Sequence, residues 1–223
     1  MTRRGLSMQS ALLVIWSTLL LTGLAPLRHA AVAAQVPPAP PMGLERFVIM
    51  PGESQVAYHV GEVFFNQNHQ FNLATGVTRR LHGEVLIDRT HPLRSRLGPI
   101  AVVISQFASD STRRDEMIRE RWLESSRYPI AEFTPTEIKG LPDGDAQGRD
   151  IPLQVTGNLR IRDVARPVTF DVSLKLEGEA ITGVATTKIL MTDFGFDPPS
   201  ILGILKAGNE VTLEFRFTAR AAG

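Results

Sequence analysis

The feature that most constrains this chain is the alternation of apolar and polar residues through its C-terminal half. Ile151, Leu153, Val155, Leu159 and Ile161 fall on one parity, with Gln154, Thr156, Asn158, Arg160 and Arg162 on the other. The pattern repeats through Val168, Phe170, Val172, Leu174 and Leu176, then through Val211, Leu213, Phe215 and Phe217. A period of two with one wet face is the signature of an antiparallel sheet. Several such strands in a row bury their apolar faces by closing on themselves or by packing on a second sheet. The expected fold class is therefore all-β, and a closed barrel of this composition has a greasy inside.

Upstream, Ser54–Val60, Val77–Asp88, Pro99–Phe107 and Ala131–Ile138 read as further strands. The stretch FFNQNHQFN from Phe64 to Asn72 reads as a loop. Pro99–Phe107 is apolar on both parities, which predicts cover on both sides. Between Ser111 and Glu124 the period changes: Thr112 and Asp115 are spaced as a capping box, and Ile118 and Trp122 lie four apart. This predicts one amphipathic helix of about three turns, placed to cover one side of the Pro99–Phe107 strand. LPDGDAQGRD, from Leu141, reads as an exposed turn. The alternation lapses between Asp193 and Gly208.

Residues 1–34 read as a secretory signal peptide rather than as part of the fold. Arg3 and Arg4 open it, an apolar run spans Ala11–Ala25, and Ala31-Val32-Ala33-Ala34 supplies small residues for cleavage. Residues 35–44 follow as a Pro-rich linker, and residues 45–220 as one barrel domain. The expected location is extracytoplasmic, periplasmic or secreted. The chain carries a formal charge of +1, and loss of Arg3, Arg4 and Arg28 with the leader turns it negative. A domain so balanced has no footprint for nucleic acid. With no cysteine, disulfides, thiolate nucleophiles and cysteine metal sites are excluded.

Catalytic motifs are absent: there is no G-x-S-x-G elbow, Walker loop or G-x-G-x-x-G. His59, His69, His82 and His91 fall on strands and loops that do not converge, so neither a metal nor another cofactor is expected. Arg113-Arg114-Asp115-Glu116 reads as a solvated helix turn. The positive signal is apolar. One parity of Ala180–Thr192 carries Ile181, Gly183, Ala185, Thr187, Ile189 and Met191, small in the middle and facing larger side chains such as Phe170, Phe215 and Phe217. Small residues on one wall leave room for a ligand, or they accommodate bulky neighbours in a filled core. The segment Phe194–Leu205 is rich in Phe, Ile and Leu and punctuated by Pro and Gly. It reads as the rim of such a cavity, or as a plug of ordinary core.

Five segments carry a more specific signal: SQVAYHV at Ser54, the RRD at Arg113 with RYPIAEFTPTEI at Arg127, VTGNLRIRDVARPVTF at Val155, MTDFGF at Met191, and GNEVTLEF at Gly208. In this order and spacing the chain resembles the YceI-like family of exported lipid-binding (polyisoprenoid-binding) proteins, over roughly residues 45–219. The resemblance implies an extended lipocalin-like antiparallel β-barrel of about eight strands with one amphipathic helix. It implies a tunnel for an isoprenoid or other long-chain apolar lipid, such as an isoprenyl quinone or a polyprenyl alcohol, with no catalytic residue. On that reading Tyr58, Phe133, Phe170, Ala185, Phe215 and Phe217 form the wall. Phe194, Phe196, Ile201 and Leu205 form the rim. A carrier of this kind implies transient membrane contact, and a homodimer is compatible with it. Two rivals stand beside it: an enzyme acting on such a lipid through Tyr58 or His59, and an exported structural module with a filled barrel.

Overall fold

The computed structural model describes residues 43–222, apart from residues 145 and 203. The expected leader, and the linker before Gly43, lie outside the described residues.

The strands in chain order are β1 (Glu45–Ile49), β2 (Gln55–Phe64), β3 (Gln70–Thr78), β4 (Leu81–His82), β5 (Glu84–Ile87), β6 (Arg96–Leu97) and β7 (Ile100–Val103). After the helix α1 (Thr112–Met117) come β8 (Ile130–Lys139), β9 (Asp150–Ile161), β10 (Val164–Glu177), β11 (Ala180–Leu190), β12 (Ser200–Ile201) and β13 (Leu205–Ala221). The pairing is antiparallel throughout. From β7 it runs through β8, β9, β10 and β11 to β13. β13 is long enough to take two partners on its other edge, β2 along its first part and β1 along its last. β2 pairs β3, and the chain continuing from β3 into β4 pairs β7. Hydrogen bonds from Val103 N to Arg80 O (2.8 Å) and between Val77 and Ala108 carry the ladder across that junction. The sheet thus closes through eight staves, and β1, β5 and β6 form a flap at one end.

Period-two burial follows from closure. Leu153, Val155, Leu159 and Ile161 on β9 and Ile181, Ala185 and Ile189 on β11 are buried, while their even-numbered neighbours are turned outward or half-buried.

The expected strand Val77–Asp88 is broken into three. Its partners change along its length, from β2 to β7 to β1, and each change demands a bend. Gly83 sits at the second bend, where any Cβ would collide with Ile100 and Ile49. The expected loop Phe64–Asn72 is also corrected. Phe64 pairs Gln70 and Val63 pairs Phe71, so only residues 65–69 turn, with Asn68 and His69 left-handed at φ 53° and 60°. This ribbon tip projects past the barrel, so no core imposes alternation on it. β7 ends at Val103, not Phe107, because Ile104–Gln106 form a 3-10 turn.

The helix starts one residue earlier than expected. Ser111, not Thr112, caps it by accepting from Arg114 N (3.3 Å). Asp115 instead accepts from Ser109 N (3.0 Å) and Oγ (2.6 Å), fastening the chain that enters the helix. The helix widens into a π-type turn over Ile118–Trp122. Arg162, left-handed in the β9–β10 turn, pins the far end by donating to Trp122 O (3.3 Å) and pairing with Glu124 (2.6 Å).

Candidate functional site

The inward parity of the strands encloses a cavity of about 320 Å³ lined almost wholly by apolar side chains. Its lining runs from Ile181 to Ile189 on one strand, roughly 26 Å at ~3.3 Å per residue. The lining therefore extends along most of β11, which suits a chain better than a compact solute.

Of the ten residues expected to form the site, Tyr58, Phe133, Phe170, Ala185, Phe196, Phe215 and Phe217 line this cavity. Phe133 and Phe170 meet edge to face at 5.0 Å, and Phe215 and Phe217 lie 5.1 Å apart along β13. Phe194, Ile201 and Leu205 do not line it. Phe194 is 1% exposed and packs in the core, closing the turn after β11. Ile201 pairs Leu205 in a small hairpin that braces β13. The Phe194–Leu205 segment is thus divided: Phe196 and Pro199 face the cavity, while Leu202 (99% exposed) and Ile204 point away.

Both readings of the small-residue strand apply, at different positions. Gly183 is opposite Phe217, and a Cβ there would lie 2.6 Å from the Phe217 ring, so that space is filled. Ala185, opposite Phe215, borders open cavity.

One end of the cavity holds a polar group that the sequence reading missed. The inward parity of β2 is Val56, Tyr58, Val60 and then Glu62, whose side chain is only 7% exposed. Arg114 from α1 lies over it, with Nη2 donating to Glu62 Oε2 at 3.2 Å. Asn72 Nδ2 donates to the same oxygen at 3.2 Å. Arg114 also pairs with Asp110 and donates to Ser109 Oγ (3.3 Å). Burial works against its charge, but Glu62 and Asp110 outweigh that and hold its pKa above the ordinary guanidinium value. Arg114 is therefore not the solvated helix residue expected. Ile118, Trp122 and Leu123 border the cavity beside it, so the helix lies against the cavity rather than on the outside of β7. A β-bulge at residues 208–210, where β13 passes Glu62, adjusts the strand locally.

Tyr58 stands at this same end. Its ring crosses Gly76 so closely that any side chain there would strike it, and it meets Phe107 edge-on at 5.2 Å. Its hydroxyl is buried and has no hydrogen-bond partner among the described residues. Burial pushes its pKa up to about 12, with Asp115 adding to the rise and Arg114 opposing it. An unpaired buried hydroxyl costs ~1–3 kcal/mol. The adjacent His59 points to the opposite face, where Nδ1 lies 2.9 Å from Thr75 Oγ1.

The other end carries Asp88, Arg89, Ser95 and Arg96. Asp88 Oδ1 accepts from Thr90 Oγ1 (2.8 Å), Thr90 N (3.0 Å) and His91 N (2.8 Å). Arg89 donates to Glu45, Gln147 and Gly178 O.

The molecule is thus an antiparallel β-barrel with an elongated internal cavity, the class to which lipocalin-like folds belong. A family model described as "YceI-like domain" matches residues 47–219, well over half of the chain, and the chain belongs to that family. Protein YceI of Escherichia coli is 28% identical over 126 residues, covering 53% of this chain and 61% of that protein. A UPF0312 protein of Pseudomonas putida is 26% identical over 135 residues, 58% of this chain and 67% of that one. Among solved structures, a polyisoprenoid binding domain from Saccharophagus degradans superposes with a TM-score of 0.60 at 14% identity, covering 80% of this chain and 99% of that one. BcnA of Burkholderia cenocepacia superposes at 0.57 with 19% identity, covering 76% and 98%. At these identities the two structures establish the shared fold.

Proposed function

We propose that this protein is an exported binder of an isoprenoid-type amphiphile, an isoprenyl quinone or a polyprenyl lipid, which it carries or sequesters outside the cytoplasm. The observation that carries the reading is the apolar cavity whose lining extends along most of β11. Each methylene buried there contributes ~0.8 kcal/mol, less the cost of ordering the chain, so a few prenyl units bind without any charge contact. The S. degradans neighbour, described as a polyisoprenoid binding domain, supports the same ligand class. Export rests on the basic start, apolar run and small-residue motif of residues 1–34.

Binding rather than catalysis is supported by the division of Tyr58 and His59 between opposite faces, which separates the two groups an acid–base enzyme would use together. Loading from a membrane is supported by exposed Phe65, Phe71, Leu73, Leu202 and Ile204. Phe65 lies in the β2–β3 turn with Phe71 and Leu73 following on β3, Leu202 and Ile204 lie between β12 and β13, and a hydrogen bond from Phe65 N to Ile204 O (2.8 Å) joins the two segments. Native mass spectrometry of protein purified from membrane-containing cells, followed by organic extraction, tests the proposal. A stoichiometric isoprenoid or quinone adduct is expected. A clean apo mass with no uptake of added isoprenoids would overturn it.

A further inference from the structure

Between the end of the helix and the β9–β10 turn the wall of the cavity has a seam. Ile118, Trp122 and Leu123 border the cavity from the segment that follows α1, and Ile161 borders it from the end of β9. The next residues in the chain, Glu124 and Arg162, pair across the seam at 2.6 Å. Both are left-handed, at φ 45° and 58°. The other described non-glycine residues with positive φ are Asn68 and His69, on an exposed turn. Asn and His enter that region far more readily than Glu or Arg.

The closed seam carries two further costs. Nε of Arg162 is buried with no hydrogen-bond partner among the described residues. Ile118–Trp122 form a π-type turn, a rare geometry that recurs at functional sites. Against these stand the ion pair and the bond from Arg162 Nη1 to Trp122 O at 3.3 Å. The start of α1 is held differently. Ser111 caps it, Asp115 accepts from Ser109, and Arg114 donates to Glu62. One end of the segment is fastened by ordinary bonds, and the other is held shut against backbone strain.

We propose that residues 118–125 are a lid on the cavity, hinged on α1 and latched by Glu124 and Arg162, and that the ligand passes through the seam between Leu123 and Ile161 when the latch opens. The proposal rests on the carrier reading above and adds the route of entry. The charged pair favours the closed state, while the strain and the unpaired Nε favour the open one, so the segment has two states to choose between. Opening lifts Ile118, Trp122 and Leu123 off the cavity and lets Arg162 meet water.

The test uses the full chain, freed of lipid. Glu124→Gln keeps the backbone strain and removes the charge of a side chain that is 35% exposed, so the barrel stays folded. Hydrogen exchange read by mass spectrometry, without ligand, reports on the lid alone. The amides of residues 118–125 should exchange about fivefold faster in the variant, with residues 112–117 and β9 unchanged. Entry is read by stopped-flow quenching of Trp122 by a benzoquinone with a two-prenyl tail. A Trp16→Phe background leaves Trp122 as the one tryptophan. Association and dissociation rates should rise together about fivefold, with the equilibrium affinity held within about twofold. Arg162→Met should quicken both rates, and adding Glu124→Gln to it should change them no further. Unchanged exchange in residues 118–125, or faster exchange throughout the barrel, overturns the lid. Local exchange that quickens while both rates stay fixed overturns the route. A rise in dissociation alone would make Glu124 a ligand contact and overturn the latch. Failure of every protein to take up the quinone overturns the carrier reading and the route with it, while exchange still decides the lid.

Discussion

At the flap end of the cavity, the Asp88 carboxylate takes three hydrogen bonds and Arg89 gives its own to a strand, a loop and a turn. At the helix end, the Tyr58 hydroxyl takes and gives none among the described residues. Both ends place polar groups beside an apolar cavity, but they spend them differently. Asp88 shapes the β5–β6 turn, and Arg89 binds β1, the turn before β9 and the β10–β11 turn into one rim, its guanidinium 5.9 Å from the Phe47 ring centre. Those bonds hold the fold whether or not a ligand is present. The helix end pairs Glu62 with Arg114 well and leaves the Tyr58 hydroxyl idle, as it does Nε of Arg162 at the far end of the helix, among the described residues. Buried polar groups that are satisfied hold the fold, and one that is unsatisfied costs stability and calls for a further explanation.

The hardest test of that contrast removes one arginine from each end. Arg114→Ala strands Glu62 in a buried site and should cost about 3–5 kcal/mol, a fall of the thermal midpoint on the order of 10 °C. Arg89→Ala breaks a largely solvent-facing set and should cost about 1 kcal/mol. Circular dichroism melts of the two variants settle the order. Equal losses would mean that the Glu62–Arg114 pair is wetter than its burial indicates, and the contrast between the ends would fail. Replacing Glu62 and Arg114 together by apolar residues of similar size should restore much of the loss.

The next effect belongs to the passage between the ends. Ala185→Trp places an indole in the cavity at its midpoint, facing Phe215. Overpacking should cost about 1–3 kcal/mol, little enough to leave the barrel folded. The lipid adduct in native mass spectrometry should disappear. A folded variant that keeps its full complement of lipid would show that the tail does not run past Ala185, and that one end alone holds the ligand.

Much of this was legible in the residues. Alternation located β9, β10, β11 and most of β13 because each has one face on the cavity and one in water. It failed where a strand lacks that asymmetry. Phe71 is 67% exposed on a ribbon that leaves the barrel, so the β2–β3 tip looked like a loop. Val77–Asp88 looked continuous because a change of partner leaves no mark on hydrophobicity. Phe194 and Leu205 were apolar for reasons of core and hairpin packing, which composition cannot separate from lining a mouth. Glu62 is the instructive miss. Its parity with Val56, Tyr58 and Val60 already placed it inside, and a carboxylate inside needs a cation. The Arg of the helix was available, but a charged helix turn reads as surface until the helix is known to lie against the cavity.

The smallest effect concerns acid, and it sharpens the claim that the flap end is structural. The Thr90 hydroxyl and the His91 amide hold the Asp88 carboxyl below its ordinary value of 3.8, and the His91 ring 3.8 Å away adds to this when charged. A carboxyl depressed in the folded state contributes stability that is complete above the unfolded value. That contribution is lost as the pH falls through the lower, folded value. The wild type should therefore lose more stability than Asp88→Asn as the pH is taken from neutral to below 4. Denaturant midpoints measured across that range should converge. Lipid affinity near neutral pH should be the same in both proteins, because Asp88 directs its bonds into its own turn. A variant that melts alike but binds lipid more weakly would place Asp88 in the ligand's path and remove the distinction between the two ends.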